Sequence, residues 1–327
     1  MTRRLVARLL HAAAVCAVVA TSVFVLLQFA PGDPFATALD GADVPPSVRA
    51  EWRARYGFDL PPGERFVRWA GALARGQLGY SASRHRAVAD VVGDAMPRTL
   101  LLVGVALIIG FAGGVGIALV QTRHHRRWQD RLFGALTLGG VAMPEFLVAL
   151  LAMTWLGARW RLFPVAGIGS LGDAAAWPLW ERLLDLLWHL ALPAGVLALA
   201  VASRVARHQR AALLGVMRED YIRTARAKGL GEWDVIMRHA LPNAIGPVIA
   251  LLGLALPSLV GGAVLIERIF GWPGMGLTLF DALLARDYPL ILAAVLLATL
   301  LAVVARTVTD AVAEYVAPRR AREPSWP

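Results

Sequence analysis

RTLLLVGVALIIGFAGGVGIALVQTR, residues 98–123, carries no charge between its terminal arginines, Arg98 and Arg123. A helix needs about 20 largely apolar residues to cross a hydrocarbon layer about 30 Å thick, and this stretch meets that length. Five more stretches read the same way. They lie between Arg8 and Asp33, from Leu132 to about Ala158 with Glu145 as the one charge, between Asp185 and Arg204, between His239 and Glu267 with three prolines inside, and between Asp287 and Arg306. The whole chain agrees, since 57% of its 327 residues are hydrophobic and 17% are charged, against about 25% charged in ordinary soluble domains. The expected fold class is all-α, a polytopic membrane protein with about six transmembrane helices. Arg3, Arg4 and Arg8 before the first run also fit a signal peptide, but the run exceeds a typical signal core, so the reading is a retained helix.

Charge orients the spans. With the N-terminus inside, the inner segments hold 19 of the 33 basic residues and the outer segments 14. Outer acids also number 14, so the net charge of +10 is an inner-face excess. Arginine and lysine near span ends are retained on the cytoplasmic side, which puts both termini there. That asymmetry accounts for the basic balance without nucleic acid, and a nucleic-acid partner is not expected. The organisation expected is residues 1–30 as cytoplasmic N-terminus and first span, 31–97 as an extracytoplasmic helical subdomain, and 98–327 as a five-helix membrane domain. The amphipathic stretches Val48–Tyr56 and Arg65–Leu73, set among prolines, carry the subdomain reading.

Several chemistries are excluded. Lys228 is the one lysine and follows Ala227, so no G-x-x-x-x-G-K-[ST] phosphate loop exists. A single cysteine, Cys16, allows neither an intrachain disulfide nor a C-x-x-C metal pair. No cofactor or metal is therefore expected on this chain.

The inner loop at about 204–243 is polar yet helically patterned. Glu219 and Asp220 open a short helix, Arg226 and Lys228 close it, and Gly229 follows, as capping and the helix dipole favour. A second helix is expected from Glu232 to Leu241, stopped by Pro242. Tyr221, Ala225 and Lys228 fall on one face, with the small Thr224 and Ala225 allowing another surface to approach. The patterning leaves three readings open: a solvated basic loop, a DNA-binding helix pair, and a docking surface for a cytoplasmic protein.

The run Glu219–Gly229, followed by His239-Ala240-Leu241-Pro242-Asn243, resembles the EAA loop of permease subunits of binding-protein-dependent ABC importers, most of all the oligopeptide, dipeptide and nickel branch. Ala225, Gly229, Leu241 and Pro242 match the general motif. Arg223 and Thr224 replace its first two letters in the manner of the peptide branch, and His239 replaces an isoleucine. The resemblance extends along the chain through Pro31-Gly32-Asp33-Pro34, Tyr56-Gly57-Phe58-Asp59, Trp69, Gly76–Gly79, Pro144-Glu145-Phe146, Trp272–Gly276 and Arg286–Pro289. Gln77, Arg306 and Ala317-Pro318-Arg319 depart from it. It implies a type I importer in the bacterial inner membrane, built from this permease, a second homologous permease, two ABC ATPase subunits that carry ATP and Mg, and an extracytoplasmic solute-binding protein. It also implies an ATPase-coupling set: Glu219, Asp220, Tyr221, Thr224, Ala225, Lys228, Gly229, Leu241 and Pro242.

Glu145 is the one carboxylate inside an expected span, and an intramembrane ionisable group is a functional candidate. With Pro144 it marks a candidate translocation path; pairing with another helix is the alternative role. Gly110, Gly113, Gly114 and Gly116 include a G-x-x-x-G suited to close helix packing. A secondary transporter needs coupling-ion groups in repeated halves, and an intramembrane enzyme needs a nucleophile or metal motif. The sequence offers one such group, Glu145, without an evident internal repeat, and no nucleophile or metal motif, so these two stand as the alternative readings.

Overall fold

The computed structural model describes residues 2–28, 60–81, 83–170 and 177–316. Pro31–Pro34, Val48–Tyr56, Gly57–Asp59 and Ala317–Arg319 lie outside the described residues. The described chain is mostly helical. Its helices are α1 (Thr2–Gln28), α2 (Pro62–Ala74), α3 (Val88–Arg123), α4 (Trp128–Ala142), α5 (Glu145–Arg159), α6 (Leu179–Val216), α7 (Asp220–Ala227), α8 (Glu232–Ala244), α9 (Gly246–Ile269), α10 (Met275–Ala285) and α11 (Tyr288–Val316). A two-stranded antiparallel hairpin, β1 (Tyr80–Ser81) and β2 (Arg86–Ala87), precedes α3.

Three helices are long and apolar enough to cross a membrane, namely α3, α6 and Tyr288–Thr309 of α11, and up to five spans result if each of two bent helix pairs counts as one. Leu10–Leu26 of α1 is a shorter apolar segment among the described residues. The third expected span is not one straight helix. α4 and α5 meet at 106°, because Pro144 lacks an N–H and drives the preceding Met143 to extended backbone (φ −81°, ψ 132°).

Two compact units divide the chain within α3 and α11. The first comprises Met1–Thr99 and Pro273–Val303. Its core joins Val88, Val91 and Ala95 of α3 to Met275 and Ala282 of α10 and to Leu290, Ile291 and Ala294 of α11. Buried Asp287 organises the turn into α11, accepting from Ser81 Oγ (2.6 Å), Ser83 N (3.0 Å), Ser83 Oγ (2.7 Å) and Leu290 N (3.3 Å). The hairpin is thus clamped to a turn two hundred residues away. Phe66 and Trp69 of α2 pack their rings on Phe24 of α1 at 5.2 and 5.5 Å between centroids.

The second unit comprises Leu100–Trp272 and Val304–Pro327. Its main core gathers Leu102 and Ala106 of α3, Ala149 of α5, Leu190, Leu197 and Val201 of α6, and Leu259, Ala263 and Ile266 of α9. The G-x-x-x-G of α3 is the contact that lets α6 approach. A Cβ at Gly110 would lie 2.6 Å from Val201 Cβ, and one at Gly114 would lie 2.7 Å from the Ala202 carbonyl oxygen. No larger side chain fits without separating the two helices.

Candidate coupling site and transport path

α7 follows its expected capping. Asp220 lies in its first turn and Arg226 in its last, and Gly229 beyond it sits at φ +83°, donating its N–H to the Arg226 carbonyl at 2.9 Å. An L side chain is strained in that left-handed region, so glycine fits the turn. Arg226 then spans the turn and donates to both carboxylate oxygens of Glu232, at 3.1 and 2.7 Å. This exposed ion pair bridges the turn between α7 and α8.

The outward face of α7 differs from the one read from the sequence. Ala225 is buried, and with Ile222 it faces Leu213 of α6 and Val235, Ile236, Ala240 and Ala244 of α8. The exposed stripe is Tyr221, Thr224 and Lys228, at i, i+3 and i+7, with Tyr221 43% exposed. The reason is amphipathic. Ile222 and Ala225 are the apolar pair at i, i+3, and a short helix gains most by laying that pair on its own chain. Ala225 therefore lies beneath the candidate coupling surface, packed against α6 and α8. Glu219 and Asp220 are exposed at its start.

Pro242 does not stop α8. The helix widens into a π-turn over Val235–Ala240 and continues through Leu241–Ala244. A π-turn shifts the hydrogen-bond ladder by one residue, which accommodates a ring that cannot donate. Leu241 packs partly buried against the same apolar cluster, while Pro242 is exposed. Buried Gln209 of α6 donates to the Ala244 carbonyl at 3.4 Å, and the Arg123 guanidinium lies 5.4 Å from the centre of the Trp233 ring. With Ala118 and Leu119 of α3 in the cluster, the loop is keyed to α3 and α6 at once. The Tyr221 phenol is held above its ordinary pKa of 10.0, first by partial burial and then by the Glu219 charge, with an Asn243 hydrogen bond acting in the opposite sense.

Glu145 begins α5 directly after Pro144. Its Oε1 faces Arg204 Nη2 of α6 at 3.5 Å, both side chains part-buried. Its Oε2 lies over Gly262 of α9, where an added Cβ would come within 2.5 Å. Three helices therefore meet at this carboxylate. The partner Arg204 was not identified from the sequence, where it marks only the end of an apolar run. Among the described residues, no group of three or more His, Cys, Asp or Glu is placed to hold a metal.

Residues 106–322 match the family model for the binding-protein-dependent transport system inner membrane component. The chain belongs to that family. A Brucella ovis protein carrying a peptide-permease name is 36% identical over 304 residues, covering 91% of this chain and 92% of its own. The oligopeptide transport system permease protein AppB of Bacillus subtilis is 33% identical, covering 90% of this chain and 92% of its own. The inward-facing MetNI methionine ABC transporter shares the fold, with a TM-score of 0.56 at 14% identity over 69% of this chain and 96% of that one. The protein is thus the permease subunit of an ABC importer, a multi-pass component of the bacterial inner membrane and a transport component in place of an enzyme.

Proposed function

We propose that this permease passes short peptides, released by an extracytoplasmic binding protein, through a path it forms with a second homologous permease, and that two ABC ATPases drive it by docking on α7. The peptide assignment rests on what the similar AppB is named for; a nickel-type chelate is the other solute of the resembling branch. The observation that carries the coupling role is the build of α7, whose exposed Tyr221–Thr224–Lys228 stripe stands on an underside packed into α6 and α8. A load on the stripe is transmitted to the membrane helices because nothing soft lies between them. Glu219 and Asp220 at the start of α7, the Gly229 turn, and Leu241 and Pro242 complete the surface. ATP and Mg belong to the partner subunits, since this chain has no phosphate loop.

In this reading six spans cross the membrane with both termini cytoplasmic. α1 is the first, α4 and α5 share the third, and α9, at 24 residues, is the fifth. Residues 31–97 lie outside as a subdomain, and 98–327 form the membrane domain. Glu145 at the Pro144 break borders the path. On a Cys16-free background, cysteines at Thr224 and Lys228 are expected to crosslink to the ATPase, and cysteines at Ser47 and Ser325 to label from opposite sides with an impermeant thiol reagent. Absence of both crosslinks in an assembled, transporting complex sinks the coupling assignment, and equal labelling from outside sinks the topology. A ligand screen on the receptor tests the solute, and a receptor selective for sugars overturns the peptide reading.

A further inference from the structure

A further polar site lies on α6 one helical turn beyond Arg204. A cavity of about 330 Å³ opens between the end of α3, the start of α4 and the C-terminal third of α6, lined by Gln121, Asp130, Arg131, Gly134, Thr137, Arg207 and Arg210. That volume suits a headgroup or a small anion, at the low end of ligand pockets.

The charges in it are unequally engaged. Asp130 is buried and fully committed. It accepts from Arg210 Nε and Nη2 at 2.8 and 2.9 Å, from the Arg126 backbone N–H at 3.0 Å, and from Gln121 Nε2 at 3.3 Å, with the His125 ring at 3.3 Å. Arg210 is thereby neutralised and held rigid. Arg131 and Arg207 line the same cavity, and among the described residues neither has a side-chain hydrogen bond or ion pair. Three arginines against one aspartate leave the lining positive, and the surplus resides on the two unpaired guanidiniums. Gln121, 2% exposed, is also incomplete, since its Oε1 has no partner among the described residues.

The level of the cavity is set by its neighbours. The α3–α4 connection beside it reads Arg123-His124-His125-Arg126-Arg127, and Trp128, which opens α4, is 69% exposed. A polar, arginine-rich connection next to an outward tryptophan is the signature of the membrane–water boundary, where lipid phosphates lie. Basic pockets between membrane helices at that depth suit anionic headgroups.

We infer that the Arg131–Arg207 cavity is a seat for a phosphate group, supplied by the headgroup of an anionic phospholipid. Guanidinium forks match phosphate oxygens in pairs, and Arg210, locked on Asp130, shapes the wall without competing for the anion. A bound headgroup would tie α4 to α6 one turn from Arg204. The inference rests on the membrane location of the chain and is independent of the transported solute.

The test uses the assembled complex purified in detergent and offered phosphatidylglycerol, phosphatidylcholine or inorganic phosphate, with retained ligand read by native mass spectrometry. The parent is expected to retain phosphatidylglycerol about tenfold better than phosphatidylcholine, because the choline cation offsets the charge of the same phosphate and is repelled by the two uncompensated guanidiniums. Arg131→Gln combined with Arg207→Gln should abolish that preference, and Arg127→Gln, a charge change outside the cavity, should preserve it. Inorganic phosphate that binds the parent and not the double variant, without lipid preference, supports the phosphate seat and replaces the lipid source by a soluble one. Equal retention of both lipids with no phosphate binding overturns the inference, as does a preference lost equally in Arg127→Gln. Uptake of solute by the double variant reports assembly separately, so loss of binding with transport retained is not a folding failure.

Discussion

The α7–α8 turn and the α4–α5 break both redirect the chain sharply, by opposite means. At the first, a glycine at positive φ supplies the reversal and an apolar underside supplies the stability, with the exposed Arg226–Glu232 pair only bridging the turn. At the second, a proline interrupts an apolar helix, and the part-buried carboxylate that follows it on α5 faces a part-buried guanidinium of α6 3.5 Å away. Packing is cooperative and stiff, whereas a partly solvated ion pair contributes little net stability and can exchange partners. In the proposed coupling reading, the packed loop carries force and the break changes.

Substitution at Ala225 should show the largest effect. Arginine there introduces a charge among Leu213, Val235, Ile236 and Ala240, at a cost of several kcal/mol unless α7 undocks. The expected outcome is a protease-sensitive loop with no uptake, whereas Thr224→Arg on the exposed stripe should leave the loop protected and stop ATPase association only. Equal protease resistance of both variants would erase the distinction between underside and stripe.

A smaller effect is expected at the turn itself. Gly229→Val forces a β-branched residue to φ +83°, costing about 1–2 kcal/mol. Insertion and pairing of permeases should survive while ATP hydrolysis and uptake lose their fixed ratio, which proteoliposomes measure directly.

At the break, Glu145→Gln and Arg204→Gln should each change stability by no more than about 1 kcal/mol, given the partial exposure of the pair. Their double variant should resemble either single one in thermal unfolding, while uptake falls in all three. If the singles instead unfold as readily as Ala225→Arg, the break is as stiff as the loop and the comparison fails.

The smallest effect concerns Tyr221. Its raised pKa means that the folded loop holds the phenolic proton more tightly than the unfolded chain. Stability is therefore unchanged well below pH 10.0 and declines as pH climbs above that ordinary value. Amide exchange of α7 followed from pH 9 to 11 should accelerate beyond its intrinsic rate in the parent, and less so in Tyr221→Phe.

Much of this molecule is written in local patterns. The apolar runs, the acid-first and base-last charges of α7, the glycine after it and the α3 G-x-x-x-G all act within one or two helical turns, where spacing in sequence is spacing in space. For the same reason the resemblance of Glu219–Gly229 to a coupling loop was readable, and membership of the family agrees with it. The orientation of α7 was not, because two apolar positions of such a helix, Ile222 and Ala225, leave several faces open until Leu213 and Ile236 arrive to bury one. Pro242 misled in the same way: a rule about α-helices does not anticipate that a π-turn upstream will absorb the ring. The partner of Glu145 lies 59 residues away on α6, and the unpaired state of Arg131 and Arg207 depends on Asp130 choosing Arg210 across 80 residues. Sequence alone determined which segments are apolar enough to enter a membrane and that the chain is mostly helical, since those follow from transfer energies and backbone sterics. Which faces meet, which charges pair and which remain open was decided only by tertiary packing, because each depends on groups that come within reach after the helices have assembled.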